Sequence, residues 1–167
     1  MMADTSGRWI AGFVLVALLT MVGLLQGAPR VLPRAMDASK LPLRLDGGGR
    51  LDVGWLGGKP AVLHLWLPGC GTCASEAADI ERARVLLGDE AAFVSVSVVR
   101  DPAITRHAAA AYGLGGVGAT TTGNLLADLG VQSVPSTAFV DASGLVFAVI
   151  EGPVTTDELV RTVRELP

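Results

Sequence analysis

Ala61-Val-Leu-His-Leu-Trp-Leu-Pro-Gly-Cys-Gly-Thr-Cys-Ala-Ser-Glu-Ala-Ala-Asp-Ile80 is the stretch whose reading decides the fold of this chain. Its first seven residues are apolar with few breaks, the pattern of a strand buried on both faces. Pro68-Gly69 ends that run. From Cys73 to Leu87 the apolar positions Ala77, Ile80, Ala83 and Leu87 stand against Glu76, Glu81 and Arg82, which predicts an amphipathic helix stopping before Gly88. The two cysteines of the chain therefore lie at a strand-to-helix junction. There Cys70 faces unpaired backbone N–H groups and the positive end of the helix dipole, both of which favour thiolate over thiol. Cys73, one turn on, can close a small disulfide with it. A dithiol that opens and closes is a redox device.

Working outward, Phe93 to Val99 reads as a second central strand and Ile104 to Tyr112 as a helix closed by Gly113. Asn124 to Leu129 is a short helix stopped by Gly130. Thr137 to Val140 and Leu145 to Ile150 flank Asp141-Ala-Ser-Gly144, a turn sequence, and so pair as a hairpin. Thr155-Thr-Asp-Glu158 is a capping box that opens a last helix running to about Leu166. Upstream, Leu43 to Leu45, Asp46-Gly-Gly-Gly49 and Leu51 to Val53 read as a hairpin with a glycine-rich turn. Leu114 to Gly123 reads as a surface loop without a chemical signature. The order β-hairpin, β, α, β, α, short α, β, β, α gives one mixed sheet covered on both faces by helices.

The chain has 167 residues and a formal charge of −3. No basic stripe exists, so nucleic acid is not an expected partner. Trp9 to Leu25 is uncharged and mostly apolar; as a helix it spans roughly 26 Å at ~1.5 Å per residue, enough for a bilayer core once Gln26 to Ala28 are added. It is a retained anchor or a cleaved signal segment. Pro29 follows Gly27-Ala28 and spoils the one candidate cleavage junction, which favours the anchor. The expected organisation is a cytoplasmic tail over 1–8, a transmembrane segment over 9–28, an extended linker over 29–42 carrying Pro29, Pro33 and Pro42, and one domain over 43–167.

Four features, in order, carry a resemblance. Leu45-Asp46-Gly47 is followed by Gly58-Lys59-Pro60-Ala-Val-Leu63. Trp66 precedes Cys70, Cys70-x-x-Cys73 opens a helix, and Val131-Gln-Ser-Val134-Pro135-Ser-Thr137 precedes a strand. Together they make the chain similar to thioredoxin-like proteins, and specifically to their membrane-anchored, exported TlpA/ResA/DsbE-type branch. The resemblance covers roughly Leu43 to Leu166. It implies a thioredoxin fold and thiol–disulfide exchange on a redox-active disulfide, Cys70–Cys73, with no other cofactor. Cys70 would be the nucleophile and Cys73 the resolving thiol. Val134-Pro135 would be a cis peptide whose backbone binds an extended substrate, with Trp66 beside it. Glu76 stands where ResA-type relatives carry an acid near the cysteines; it is a proton relay or a solvated helix carboxylate. His64, six residues before Cys70, stands where thioredoxin has a buried acid. It is a base for Cys73 or a core histidine satisfied by a carbonyl. His107 reads as a surface residue.

The resemblance further implies protein thiols and disulfides as substrates, a membrane thiol-reductant transporter as electron source, and a monomer tethered to a bacterial inner membrane with its domain in the periplasm. Reduction of exported cysteines for cytochrome c or other metalloprotein maturation is the expected task. Two departures leave the direction open: Gly69 replaces a large residue before the first cysteine, and Gly71-Thr72 replaces the commoner proline-containing pairs. A disulfide oxidant or copper-stress accessory protein therefore remains an alternative, as does a metal-binding chaperone using Cys70, Cys73 and His64.

Overall fold

The computed structural model describes residues 30–167. The expected tail and transmembrane segment, including the apolar run Trp9 to Leu25, lie outside the described residues. Among the described residues no helix is long and apolar enough to cross a membrane.

Seven strands form one mixed sheet. They are β1 (Arg30–Asp37), β2 (Leu43–Leu45), β3 (Ala61–Trp66), β4 (Ala92–Ser97), β5 (Val117–Thr121), β6 (Ser136–Val140) and β7 (Leu145–Glu151). Their order across the sheet is β1-β7-β6-β3-β4-β5-β2. The pairs β3–β4 and β4–β5 are parallel; β3–β6, β6–β7, β1–β7 and β2–β5 are antiparallel. The helices are α1 (Val53–Leu56), α2 (Gly71–Leu87), α3 (Pro102–Tyr112), α4 (Leu125–Asp128) and α5 (Thr156–Arg164).

All six residues of β3 are buried, as the unbroken apolar run requires of a central strand. Alternation splits them between two cores. Leu63 and Leu65 face Leu43, Leu45, Leu56, Val96, Leu125 and Val140. Val62 faces Ile80, Leu87, Phe93, Phe139, Ile150 and Leu159 beneath α2 and α5. Those two helices are tied by the Asp79 carboxylate, which accepts from the Thr156 hydroxyl at 2.6 Å and the Thr156 N–H at 3.2 Å. The predicted capping box is present, with the Thr155 side chain and Glu158 satisfying the first turn of α5 reciprocally.

Three expectations are corrected. Leu43–Leu45 does not pair with Leu51 to Val53; it pairs with β5, Leu43 opposite Thr121 and Leu45 opposite Ala119. Asp52 instead caps the single turn α1, its Oδ1 accepting the Trp55 N–H at 2.9 Å. A capping side chain outweighs three residues of weak strand alternation. The supposed loop Leu114 to Gly123 contains β5, which has partners on both sides and is therefore an interior strand despite Gly118. Finally, the expected linker over 29–42 is largely an edge strand: β1 lies antiparallel to β7, with Asp37 opposite Leu145. Pro33 is tolerated there because an edge strand needs ladder bonds on one side only.

Candidate active site

Strand β3 ends at Trp66 and the chain turns through Leu67-Pro68-Gly69 into α2. Gly69 has φ +81°, a left-handed conformation that a side chain would strain. This is a physical reason for the missing large residue at that position. Cys70 caps α2, its Sγ accepting the Cys73 N–H at 3.1 Å. The two cysteines form a disulfide with Cα atoms 5.3 Å apart. Cys70 is partly exposed, whereas Cys73 is 0% exposed. An incoming sulfur can thus reach only the first of them.

Cys73 and Glu76 lie one turn apart on the buried face of α2. Glu76 is 4% exposed, which rules out the solvated-carboxylate reading. Its Oε1 accepts the Val154 N–H at 2.7 Å, and its Oε2 lies 3.2 Å from His64 Nε2. His64 is 1% exposed, and its Nε2 partner is this carboxylate rather than the backbone carbonyl expected of a core histidine. The structure therefore joins the two candidate proton carriers into one buried pair. Sequence spacing could not show this contact, because it spans two elements.

Trp66 is corrected. It is 0% exposed and packs against Tyr112, with ring centroids 5.5 Å apart, so its ring cannot meet a substrate. Tyr112, which the sequence reading passed over as the last residue of a helix, reaches the active-site turn: its hydroxyl oxygen accepts the Gly69 N–H at 2.9 Å. The only hint in the sequence is that it is the sole tyrosine of the chain.

The Val134–Pro135 bond is cis. Leu65 pairs with Ser136, which sets Pro135 beside the end of β3 where the cysteine turn begins. Pro135 is buried and Val134 partly so. Among the described residues no hydrogen bond engages the Val134 N–H or C=O. No three His, Cys, Asp or Glu side chains among the described residues are arranged to hold a metal ion. His107 is exposed on α3, as expected of a surface residue.

A partly exposed capping cysteine bonded to a buried one sits at the end of the central strand of this sheet. The family model Redoxin matches residues 34–166. The chain belongs to the Redoxin family. Solved structures similar to this Redoxin member include MTB dsbF in mixed oxidized and reduced forms, at 28% identity and TM-score 0.65, covering 80% of this chain and 100% of that one. Another is a secreted Mycobacterium tuberculosis disulfide oxidoreductase homologous to E. coli DsbE, at 26% identity and TM-score 0.60, covering 74% and 93%. A DsbF homologue from Corynebacterium diphtheriae matches at 22% identity and TM-score 0.65, covering 83% and 92%, and shows the shared fold. No curated protein matches the chain. With its Cys70–Cys73 disulfide, this Redoxin-family chain is a thiol–disulfide oxidoreductase of the DsbE/DsbF type.

Proposed function

We propose that the protein is an exported, membrane-tethered dithiol reductant of protein disulfides, acting in the maturation of cytochrome c or another metalloprotein. The observation that carries the exchange chemistry is the inequality of the two cysteines: Cys70 is reachable and caps α2, while Cys73 is buried beside Glu76. The Cys70 thiolate attacks a substrate disulfide and expels one substrate thiolate. Cys73 gives its proton to Glu76, attacks Cys70 Sγ and releases the second substrate thiolate, leaving the Cys70–Cys73 disulfide. The free backbone groups of Val134 offer an extended substrate a short strand to pair with. A membrane thiol-reductant transporter then restores the dithiol, and the protein works as a monomer. The apolar run Trp9 to Leu25 supports export and tethering, as does the similarity to a structure described as secreted.

Two measurements test this. An oxidised peptide carrying a Cys-x-x-Cys-His haem-attachment motif is mixed with the reduced full chain. Cys73→Ser should trap a mixed disulfide through Cys70, and Cys70→Ser should trap none; the opposite pattern overturns the assignment. The reductant direction requires a potential well below the value of about −120 mV that marks a strong oxidant. A potential near that value favours the oxidant reading instead.

A further inference from the structure

His64 sits in β3 between two hydroxyl residues. Its register partner on β4 is Ser95 and its partner on β6 is Thr137. Cross-strand partners share a face, so both hydroxyls lie on the side of the sheet that carries the imidazole. His64 Nδ1, Ser95 Oγ, Thr137 Oγ1 and, two residues along β3, Trp66 Nε1 are all buried, and none has a hydrogen-bond partner among the described residues. Buried polar atoms are nearly always paired, so four unpaired ones gathered on three neighbouring strands, two of them on residues that line a cleft, call for a role. A second observation lies at the same place. Ser95 and Trp66 line a 320 Å³ cleft between α3 and the sheet. Arg106 and Asp46, both exposed, line it as well, together with Gly116 and Gly118. At about 30 Å³ per water, that volume takes several.

We infer that Ser95 and this cleft are the proton exit of the buried Glu76–His64 pair. The inference rests on the dithiol-exchange reading above. In the mixed disulfide, Glu76 takes the Cys73 proton as the thiolate forms and attacks Cys70. Oε2 passes that proton to His64 Nε2, and the ring releases its Nδ1 proton to water held at Ser95, from which it leaves through the cleft. The oxidised state then has Nε2–H donating to the carboxylate, the contact seen at 3.2 Å. Re-reduction of the disulfide carries a proton inward along the same path and resets the ring. One proton leaves per disulfide formed at Cys70–Cys73. The two substrate thiolates take their protons from bulk water, which received one from Cys70 on ionisation and one from Cys73 through the cleft, so the balance closes. Ser95 is a positioning residue in this scheme, acting through His64 and the water beside it.

The test uses the full chain and an isosteric pair. Ser95→Thr keeps the hydroxyl and Ser95→Val fills the same volume without it. Stopped-flow kinetics with the oxidised peptide resolve attack by Cys70 from release by Cys73. S95V is expected to release about tenfold more slowly than S95T, short of the hundredfold or more of a lost base, with attack rates within about twofold of each other. A third variant on the partly exposed wall of α3, Ala109→Leu, narrows the cleft without touching the pair and should slow release about threefold or more. Equal release in S95T and S95V, or unchanged release in A109L, overturns the exit route. Absence of exchange by the wild-type chain would instead overturn the functional reading, so the two failures are distinguishable.

Discussion

Glu76 offers the sharpest perturbation, because one carboxylate holds two buried partners and is placed for the chemistry. Glu76→Ala leaves the Val154 N–H, bonded at 2.7 Å, and His64 Nε2, at 3.2 Å, without their acceptor. Each stranded buried group costs about 1–3 kcal/mol, so the two together cost about 2–6 kcal/mol. That variant confuses stability with mechanism. Glu76→Gln does so far less: its amide oxygen can still accept from Val154, the volume is kept, and its amide N–H can donate to Nε2 once the ring takes the Nδ1–H tautomer, for a cost of about 1–2 kcal/mol. What it loses is the ability to take the Cys73 proton. Loss of a general base slows the step it serves by about a hundredfold or more, which is roughly 2.7 kcal/mol of barrier. Urea unfolding of the oxidised chain measures the first quantity, and stopped-flow kinetics with the disulfide peptide measure the second. Attack by Cys70 should stay within about twofold, since the capping geometry of α2 is untouched. If Glu76→Gln lowers stability yet releases the mixed disulfide at the wild-type rate, the carboxylate is structural and the proton argument fails.

Tyr112→Phe keeps the ring against Trp66 and removes the acceptor of the Gly69 N–H; it should cost about 0.5–1 kcal/mol and speed amide exchange at Gly69, and unchanged exchange there would remove Tyr112 from the turn. The Asp79 carboxyl is held below the usual range, chiefly by the Thr156 hydroxyl, with help from Arg82 and the Thr156 N–H against the cost of burial. A lowered folded-state value means its stabilisation is complete above about pH 4 and drains away as the pH falls through the folded value. Asp79→Asn should therefore cost about 1 kcal/mol at pH 7 and less at pH 3, and a difference independent of pH would refute the link between α2 and α5. Gly116 has φ +79°, and a Cβ there would lie 2.6 Å from the Phe93 carbonyl oxygen. Gly116→Ala should destabilise by about 1–3 kcal/mol in urea titrations, and a neutral result would mean that β5 can shift.

Some of the architecture was legible because its causes are local. The run Ala61 to Leu67 is buried on both faces, and its reading as a central strand stands in β3. Helix α2 ends where Gly88 predicts, and the Thr155–Glu158 box opens α5. The hairpin of β6 and β7 follows from Asp141-Ala-Ser-Gly144, where the Asp141 carboxylate accepts from Ser143 and Leu145 N–H groups at 2.8 and 3.0 Å. Strand β5 was not legible. Val117-Gly-Ala-Thr-Thr121 is short, broken by Gly118 and flanked by Gly115, Gly116 and Gly123, which masks its β-branched residues, and it is ordered by β4 on one side and β2 on the other. The same distant pairing undid the expected hairpin at Leu43 to Val53.

At the site the division follows the same physics. Cys70 and Cys73 declared themselves by spacing and by their place at a helix start, because capping and dipole are properties of one local segment. The sequence by itself determined that this chain carries a reactive dithiol at the end of a buried strand. Only the tertiary structure decided what surrounds that dithiol. It paired His64 with Glu76 across twelve residues, buried Trp66 that had been assigned to substrate, and brought Tyr112 to Gly69 across forty-three. It also lined up Ser95 and Thr137 on either side of the imidazole. Each of these depends on which strands become neighbours and on which face alternation turns each side chain. Neither is encoded in any single stretch, because the free energy of pairing is shared by all the strands at once.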